Sequence, residues 1–225
     1  MNEYCKKVDF ILDKIEKAKE KSKFNQNVKL IAVSKTFSSD IVKKVYNCGI
    51  ENFGENYVQE MLKKQNDLKD CKINWHFIGH LQKNKAKYIY NKIAMLHSLD
   101  SIDLAKILDK RLKSENKKLE VLIQINIGKE KSKYGILPEE IDNFMKKIDN
   151  FKSLIIKGFM CIPPFTINRE EARLYFIKMR KIFEKYKNSN ISELSMGMSK
   201  DFEIAIEEGA TIVRIGTLIF GQRGQ

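Results

Sequence analysis

Eight times along its 225 residues the chain alternates a short apolar run with a stretch whose apolar residues recur at helical spacing. No other feature of the sequence constrains the fold as tightly. The spacing predicts strands at residues 30–34, 50–53, 74–78, 93–99, 119–127, 154–162, 193–196 and 211–215. Run 119–127 is apolar nearly throughout, as strands covered on both faces are. Val8, Ile11, Leu12 and Ile15 predict an amphipathic helix over 3–22 with a lysine-rich outer face. Ser38 or Ser39 caps a helix through Val45 that stops at Gly49. Further helices carry Val58, Met61 and Leu62, then Ala86, Ile89 and Tyr90, then Leu104, Leu108 and Leu112. Pro138 opens the next as a first-turn proline. Two more carry Ala172, Phe176 and Met179, and residues 199–208. Strict alternation of this kind argues an α/β fold, a parallel sheet closed as a (β/α)8 TIM barrel. With no linker or repeat to divide it, residues 1–225 are expected to form a single domain. The ten residues after the last strand are too few for a full closing helix. The N-terminal helix is therefore expected to cover the seam between strands 8 and 1.

Composition narrows the classes of function. There are 42 Lys+Arg against 29 Asp+Glu, a net charge of +13, and the excess is nearly all lysine. Such a charge can serve nucleic acid or an anionic membrane. The lysines, however, are scattered along every helix, with no groove of arginine and aromatic residues, so a solvated lysine surface and no nucleic-acid partner are expected. No apolar stretch approaches the roughly 20 residues that span a bilayer, and the N-terminus has no apolar signal core. Cys5, Cys48, Cys71 and Cys161 stand alone without a C-x-x-C pair, indicating neither a zinc site nor a disulfide framework. The expectation is a reduced, soluble, cytoplasmic monomer. His76 and His80 lack the acidic and cysteine company of a metal site, so no metal is expected.

Two distant stretches carry the chemistry. In Leu30-Ile-Ala-Val-Ser-Lys35, residues Ile31, Val33 and Lys35 share strand parity, so the amine extends their face at the strand's C-terminal end. The second comprises Ser195-Met-Gly-Met-Ser199-Lys-Asp201 and Val213-Arg214-Ile-Gly216-Thr217, where small residues and hydroxyls follow strands 7 and 8. Backbone N–H groups in such loops cradle phosphate, and barrel enzymes commonly hold one there. Lys35 alone reads as a snorkelling lysine, and Met-Gly-Met-Ser alone as an ordinary helix start. Barrel closure sets strand 1 beside strand 8, which brings the two together. An amine beside a phosphate cradle points to a cofactor carrying both an aldehyde and a phosphate.

Six segments then resemble a known family. They are Leu30-Ile-Ala-Val-Ser-Lys35, Phe53-Gly-Glu-Asn56, Trp75-His-Phe-Ile-Gly-His-Leu-Gln-Lys-Asn-Lys85, Gly158-Phe-Met-Cys-Ile-Pro163, Leu194-Ser-Met-Gly-Met-Ser-Lys-Asp201, and Val213-Arg-Ile-Gly-Thr217 with Phe220-Gly221. In this order they resemble the YggS/PROSC family of pyridoxal phosphate homeostasis proteins, related to the barrel domain of alanine racemase. The departures, Lys133-Tyr134-Gly135 and Phe159, lie away from the expected site. The resemblance implies a fold-type III barrel that holds pyridoxal 5′-phosphate as a Schiff base on Lys35. It further implies Ser199, Gly216 and Thr217 at the phosphate, Arg214 at the pyridine nitrogen, and Asn56 and Met160 as ring contacts. The protein would carry or regulate free cofactor, with pyridoxal-phosphate-dependent apoenzymes as partners. The rival is a weakly active amino-acid racemase on the same cofactor; the barrel uses the whole length, leaving no second domain for an opposing acid.

Overall fold

The chain is seen in a computed structural model that describes residues 2–165 and 168–222. Its eight strands are β1 (Lys29–Val33), β2 (Asn52–Glu55), β3 (Asn74–Phe77), β4 (Met95–Leu99), β5 (Leu119–Ile125), β6 (Leu154–Cys161), β7 (Glu193–Ser195) and β8 (Ile212–Ile215). They close in sequence order into an all-parallel barrel. The helices are α1 (Glu3–Lys21), α2 (Ser39–Tyr46), α3 (Val58–Asp67), α4 (Ile102–Ser114), α5 (Ile141–Ile148), α6 (Arg169–Tyr186), α7 (Phe202–Glu207) and the single turn α8 (Thr217–Phe220).

Register at the closing seam places the site. β1 and β8 pair Leu30 with Val213, Ile31 with Arg214 and Ala32 with Ile215. The next step sets Val33 beside Gly216, where an added Cβ would lie 3.3 Å from the Val33 carbonyl oxygen. α1 buries Val8, Ile11, Ile15 and Ala18 and packs on α7, α8 and α2, covering this seam as its apolar stripe predicts. Side chains on alternate parity fill the barrel. Ile31, Met95, Leu122, Met160 and Ile212 form an inner cluster, and a larger apolar layer lies between sheet and helices.

Four expectations shift. β2 runs on to Glu55, because Gly54 and Glu55 pair with His76 and Phe77. The helix expected over Ala86 and Tyr90 is a 3₁₀ turn, Lys83–Tyr88; with Ala86 its one buried residue, it has no apolar stripe to hold an α-helix. The helix expected from Ser199 starts at Phe202, since the Asp201 carboxylate accepts the Met198 N–H at 2.7 Å and folds 198–201 into a turn. Nor are all cysteines unpaired. Cys5 and Cys48 form a disulfide, their Cα atoms 5.1 Å apart across a sequence separation of 43. The packing of α1 on α2 brings them together, which local C-x-x-C spacing cannot register.

Candidate functional site

At the C-terminal ends of the strands a cavity of about 690 Å³ opens. Lys35, Asn56, Ser199, Arg214, Gly216 and Thr217 line it, six of the seven residues expected there. Met160 does not. It is wholly buried in the inner cluster, and Ile162, two residues further along the same inward parity, meets the cavity in its place. Lys133, Pro163, Pro164, Phe165 and Asp201 complete much of the wall and were not expected from the sequence. Lys133 corrects the expectation that Lys133-Tyr134-Gly135 lies away from the site, since the long loop after β5 brings it to the cavity, and Asp201 comes in with the Ser195–Asp201 stretch.

One wall is built from the loops after β7 and β8. Gly197 has φ +90, and a Cβ there would lie 2.5 Å from the Ala205 Cβ, so the loop packs directly on α7. The Ser199 hydroxyl oxygen accepts the Leu218 N–H at 3.5 Å, tying the two loops together. Hydroxyls of Ser199 and Thr217 and the start of the α8 turn thus face one region.

Arg214 forms the floor. Buried at 3% exposure, it donates through Nη1 to Ser195 Oγ at 2.6 Å and through Nη2 to the Cys161 carbonyl at 2.9 Å. Both are neutral oxygens. Burial pulls its pKa below the ordinary guanidinium value, while the same burial pushes the Cys161 thiol up to about 12. An arginine ordinarily stays charged across the physiological range.

From Ser195 a buried hydrogen-bond chain crosses the barrel. His97 Nδ1 lies 3.1 Å from Ser195 Oγ, His97 Nε2 lies 3.0 Å from His76 Nδ1, and His76 Nε2 lies 3.2 Å from Asn52 Oδ1. Asn52 Oδ1 can only accept, so His76 carries its proton on Nε2 and accepts at Nδ1. His97 must then donate from Nε2 and accept at Nδ1, so the Ser195 hydroxyl donates to it and accepts from Arg214. Every donor points away from the arginine, and both imidazoles are neutral. Burial lowers His76 to about 3 and His97 well below 6.5, with Lys29 adding to both. His80, by contrast, meets Asp100 at 3.1 Å and stacks on Tyr134 with ring centroids 3.6 Å apart. None of the three histidines joins a metal-binding group among the described residues.

The arrangement suits an aldehyde-bearing phosphate: an amine, a hydroxyl-lined loop pair and a fixed cation share one cavity. The buried Asn56 Oδ1 has no hydrogen-bond partner among the described residues, which a donor on a bound ring would supply.

A closed parallel barrel with a lysine after β1, facing the loops after β7 and β8, is a barrel of the alanine-racemase class. The family described as alanine racemase, N-terminal domain, matches residues 8–224. More narrowly, the chain belongs to the family of pyridoxal phosphate homeostasis proteins. It is 44% identical over 223 residues to the one from Aquifex aeolicus, covering 97% of this chain and 98% of the relative. To that from Helicobacter pylori it is 41% identical, covering 98% and 99%. PipY of Synechococcus elongatus, in a structure with PLP bound, superposes with a TM-score of 0.86 at 29% identity, covering 97% of this chain and all of PipY. A Clostridium difficile alanine racemase shares the fold, with a TM-score of 0.71 at 15% identity, and this chain covers 57% of its length.

Proposed function

We propose that this chain holds pyridoxal 5′-phosphate covalently and reversibly and so regulates the free cofactor. When bound, the cofactor would supply an aldehyde, an electrophile that the Lys35 amine is placed to hold reversibly with loss of water. The observation that carries this reading is the convergence of Lys35, Arg214, Ser199, Gly216 and Thr217 on one cavity. The PLP bound in PipY and the names of the relatives above support it.

The chain's own residues divide the work. Lys35 supplies the amine. Ser199 and Thr217 hydroxyls, with backbone N–H groups at Gly216, hold the phosphate. Arg214 sets a fixed cation at the ring nitrogen, and Asn56 contacts the ring. Residues 1–225 act as one unit, a monomer in the cytoplasm, passing cofactor to dependent apoenzymes. Among the described residues no helix is long and apolar enough to cross a membrane. The Cys5–Cys48 disulfide is unusual for a cytoplasmic protein. A free-thiol count on protein taken from lysate quenched with alkylating agent tests that location.

The rival, a racemase, draws on a likeness that extends to the fold alone. Incubating the cofactor-loaded protein with alanine in deuterated water and following α-proton exchange by NMR separates the two readings. Exchange no faster than with free cofactor is expected; turnover at about 1 s⁻¹ or faster, ordinary for an enzyme, would overturn the homeostasis reading.

A further inference from the structure

Beneath the Lys35 turn, on the side away from the cavity, lies a buried ion cluster. Lys64 Nζ, on α3, donates to the Ser34 carbonyl at 2.7 Å, to Glu55 Oε1 at 2.6 Å and to Glu60 Oε1 at 2.7 Å. The Ser34 hydroxyl donates to Glu55 Oε1 at 2.6 Å, and the Thr36 N–H donates to Glu60 Oε1 at 2.5 Å. Lys64 is 3% exposed and Glu55 fully buried, with Glu55 Oε2 left without a partner among the described residues.

Two features set this apart from a cluster that merely joins β1, β2 and α3. It grips the main chain on both sides of Lys35, through the carbonyl of Ser34 and the amide of Thr36. It also holds Thr36 at φ +73, a conformation that β-branched residues avoid. A buried ion pair is a poor way to gain stability alone, since apolar replacements of like volume often do as well. A fixed backbone, however, matters to a lysine. Its four-carbon stem is flexible, and condensation needs the amine within about 3–3.5 Å of the reacting carbon.

We propose that Glu60 and Lys64, with Glu55 between them, are positioning residues for Lys35: they clamp the Ser34–Thr36 turn so that the amine enters the cavity. The inference rests on Lys35 being the cofactor-bearing lysine, and its test separates the two.

Glu60→Ala removes the acceptor of the Thr36 N–H; Glu60 is partly exposed on α3, so the barrel should still melt cooperatively. Adduct formation with pyridoxal phosphate, followed by stopped-flow absorbance, should slow by about tenfold or more. Glu60→Gln, which keeps an acceptor, should restore most of the rate. Thr36→Gly added to Glu60→Ala should also restore it, because glycine takes positive φ freely. A purely structural role predicts no such rescue by a residue that lowers chain rigidity. In the cofactor-free protein, hydrogen exchange at the Thr36 amide should accelerate in Glu60→Ala, and reductive methylation of Lys35 by formaldehyde should change rate. A wild-type rate of adduct formation in Glu60→Ala, or no rescue by Thr36→Gly, overturns the proposal. Should borohydride trapping place the wild-type adduct on a different lysine, the functional reading fails instead. The exchange and methylation results would then judge the clamp alone.

Discussion

The neutral histidine pair makes the barrel acid-sensitive in a way that can be worked out. An unfolded histidine titrates near 6.5, whereas His76 in the fold is lowered to about 3 by burial and His97 well below its ordinary value for the same reason. Between these limits the unfolded chain binds protons that the folded one refuses, so stability falls as pH falls. Above about pH 6.5 neither state is protonated, and the effect vanishes. From pH 7.5 to 5.0 His76 alone should remove about 2 kcal/mol, with His97 acting in the same direction. Glu55 and Asp100, raised by burial, act with the opposite sign, since they take up protons more readily when folded. The comparison is therefore made against a His76→Gln, His97→Gln double variant, which keeps both carboxyls. Urea unfolding at constant ionic strength, at pH 7.5 and 5.0, gives both stabilities. Wild type should lose at least about 2 kcal/mol more than the variant. If both lose the same amount, the imidazoles are not held neutral, and the donor directions assigned from Asn52 to Arg214 are wrong.

Three further outcomes are expected. Lys35→Ala should abolish both the visible absorbance of the lysine adduct and the product trapped by borohydride; a stoichiometric trapped adduct in the variant refutes the assignment. Ser199→Ala with Thr217→Ala should weaken pyridoxal phosphate binding, each lost charge-assisted hydrogen bond costing about 1.5–3 kcal/mol, while the thermal midpoint stays put; unchanged affinity by titration moves the phosphate elsewhere. Dithiothreitol should lower the stability of the oxidised protein by up to about 4 kcal/mol, the chain-entropy value for a closed loop of 43 residues, and a Cys5→Ser, Cys48→Ser variant should show no such response.

How much of this was legible in the sequence depended on whether the cause was local. Strand and helix alternate because each element carries its own periodicity, so all eight strands could be read, their ends moving by only a residue or two. Lys35, Ser199, Arg214, Gly216 and Thr217 could be brought to one cavity from the sequence because strand ends and closure order suffice to place them. Met160 stands apart from the cavity because of its depth. It has the correct parity but lies two residues short of Ile162, roughly 6.6 Å deeper along the strand. The clamp and the histidine chain needed neighbours that only folding supplies, yet each left a trace. Lys64 falls three residues after Met61 and six after Val58, on the buried stripe of α3, where an ammonium needs a reason. Arg214 interrupts a strand otherwise apolar, sharing the inward parity of Ile212, and His97 shares that of Met95. A polar residue on an inward parity marks a buried network even when its partners cannot be named. The disulfide left no such trace, because each cysteine looks ordinary in its own helix or turn.

With Arg214 at the ring nitrogen, as proposed above, the site would favour holding over turnover. An active deprotonating site needs an electron sink, and the sink is strongest when the ring nitrogen carries a proton. A carboxylate there would stabilise that proton; a guanidinium opposes it. Here the guanidinium cannot turn aside, since Ser195 and the Cys161 carbonyl fix two of its nitrogens, and the chain through His97 and His76 to Asn52 fixes Ser195. Each of these hydrogen-bond partners is neutral, while the Asp201 carboxylate on the cavity wall acts on the cation electrostatically. The polar interior of the barrel thus fixes a cation at the cavity floor; set at the ring nitrogen, as proposed above, it would disfavour carbanion chemistry and leave exchange at Lys35, which needs only an amine and water, unaffected.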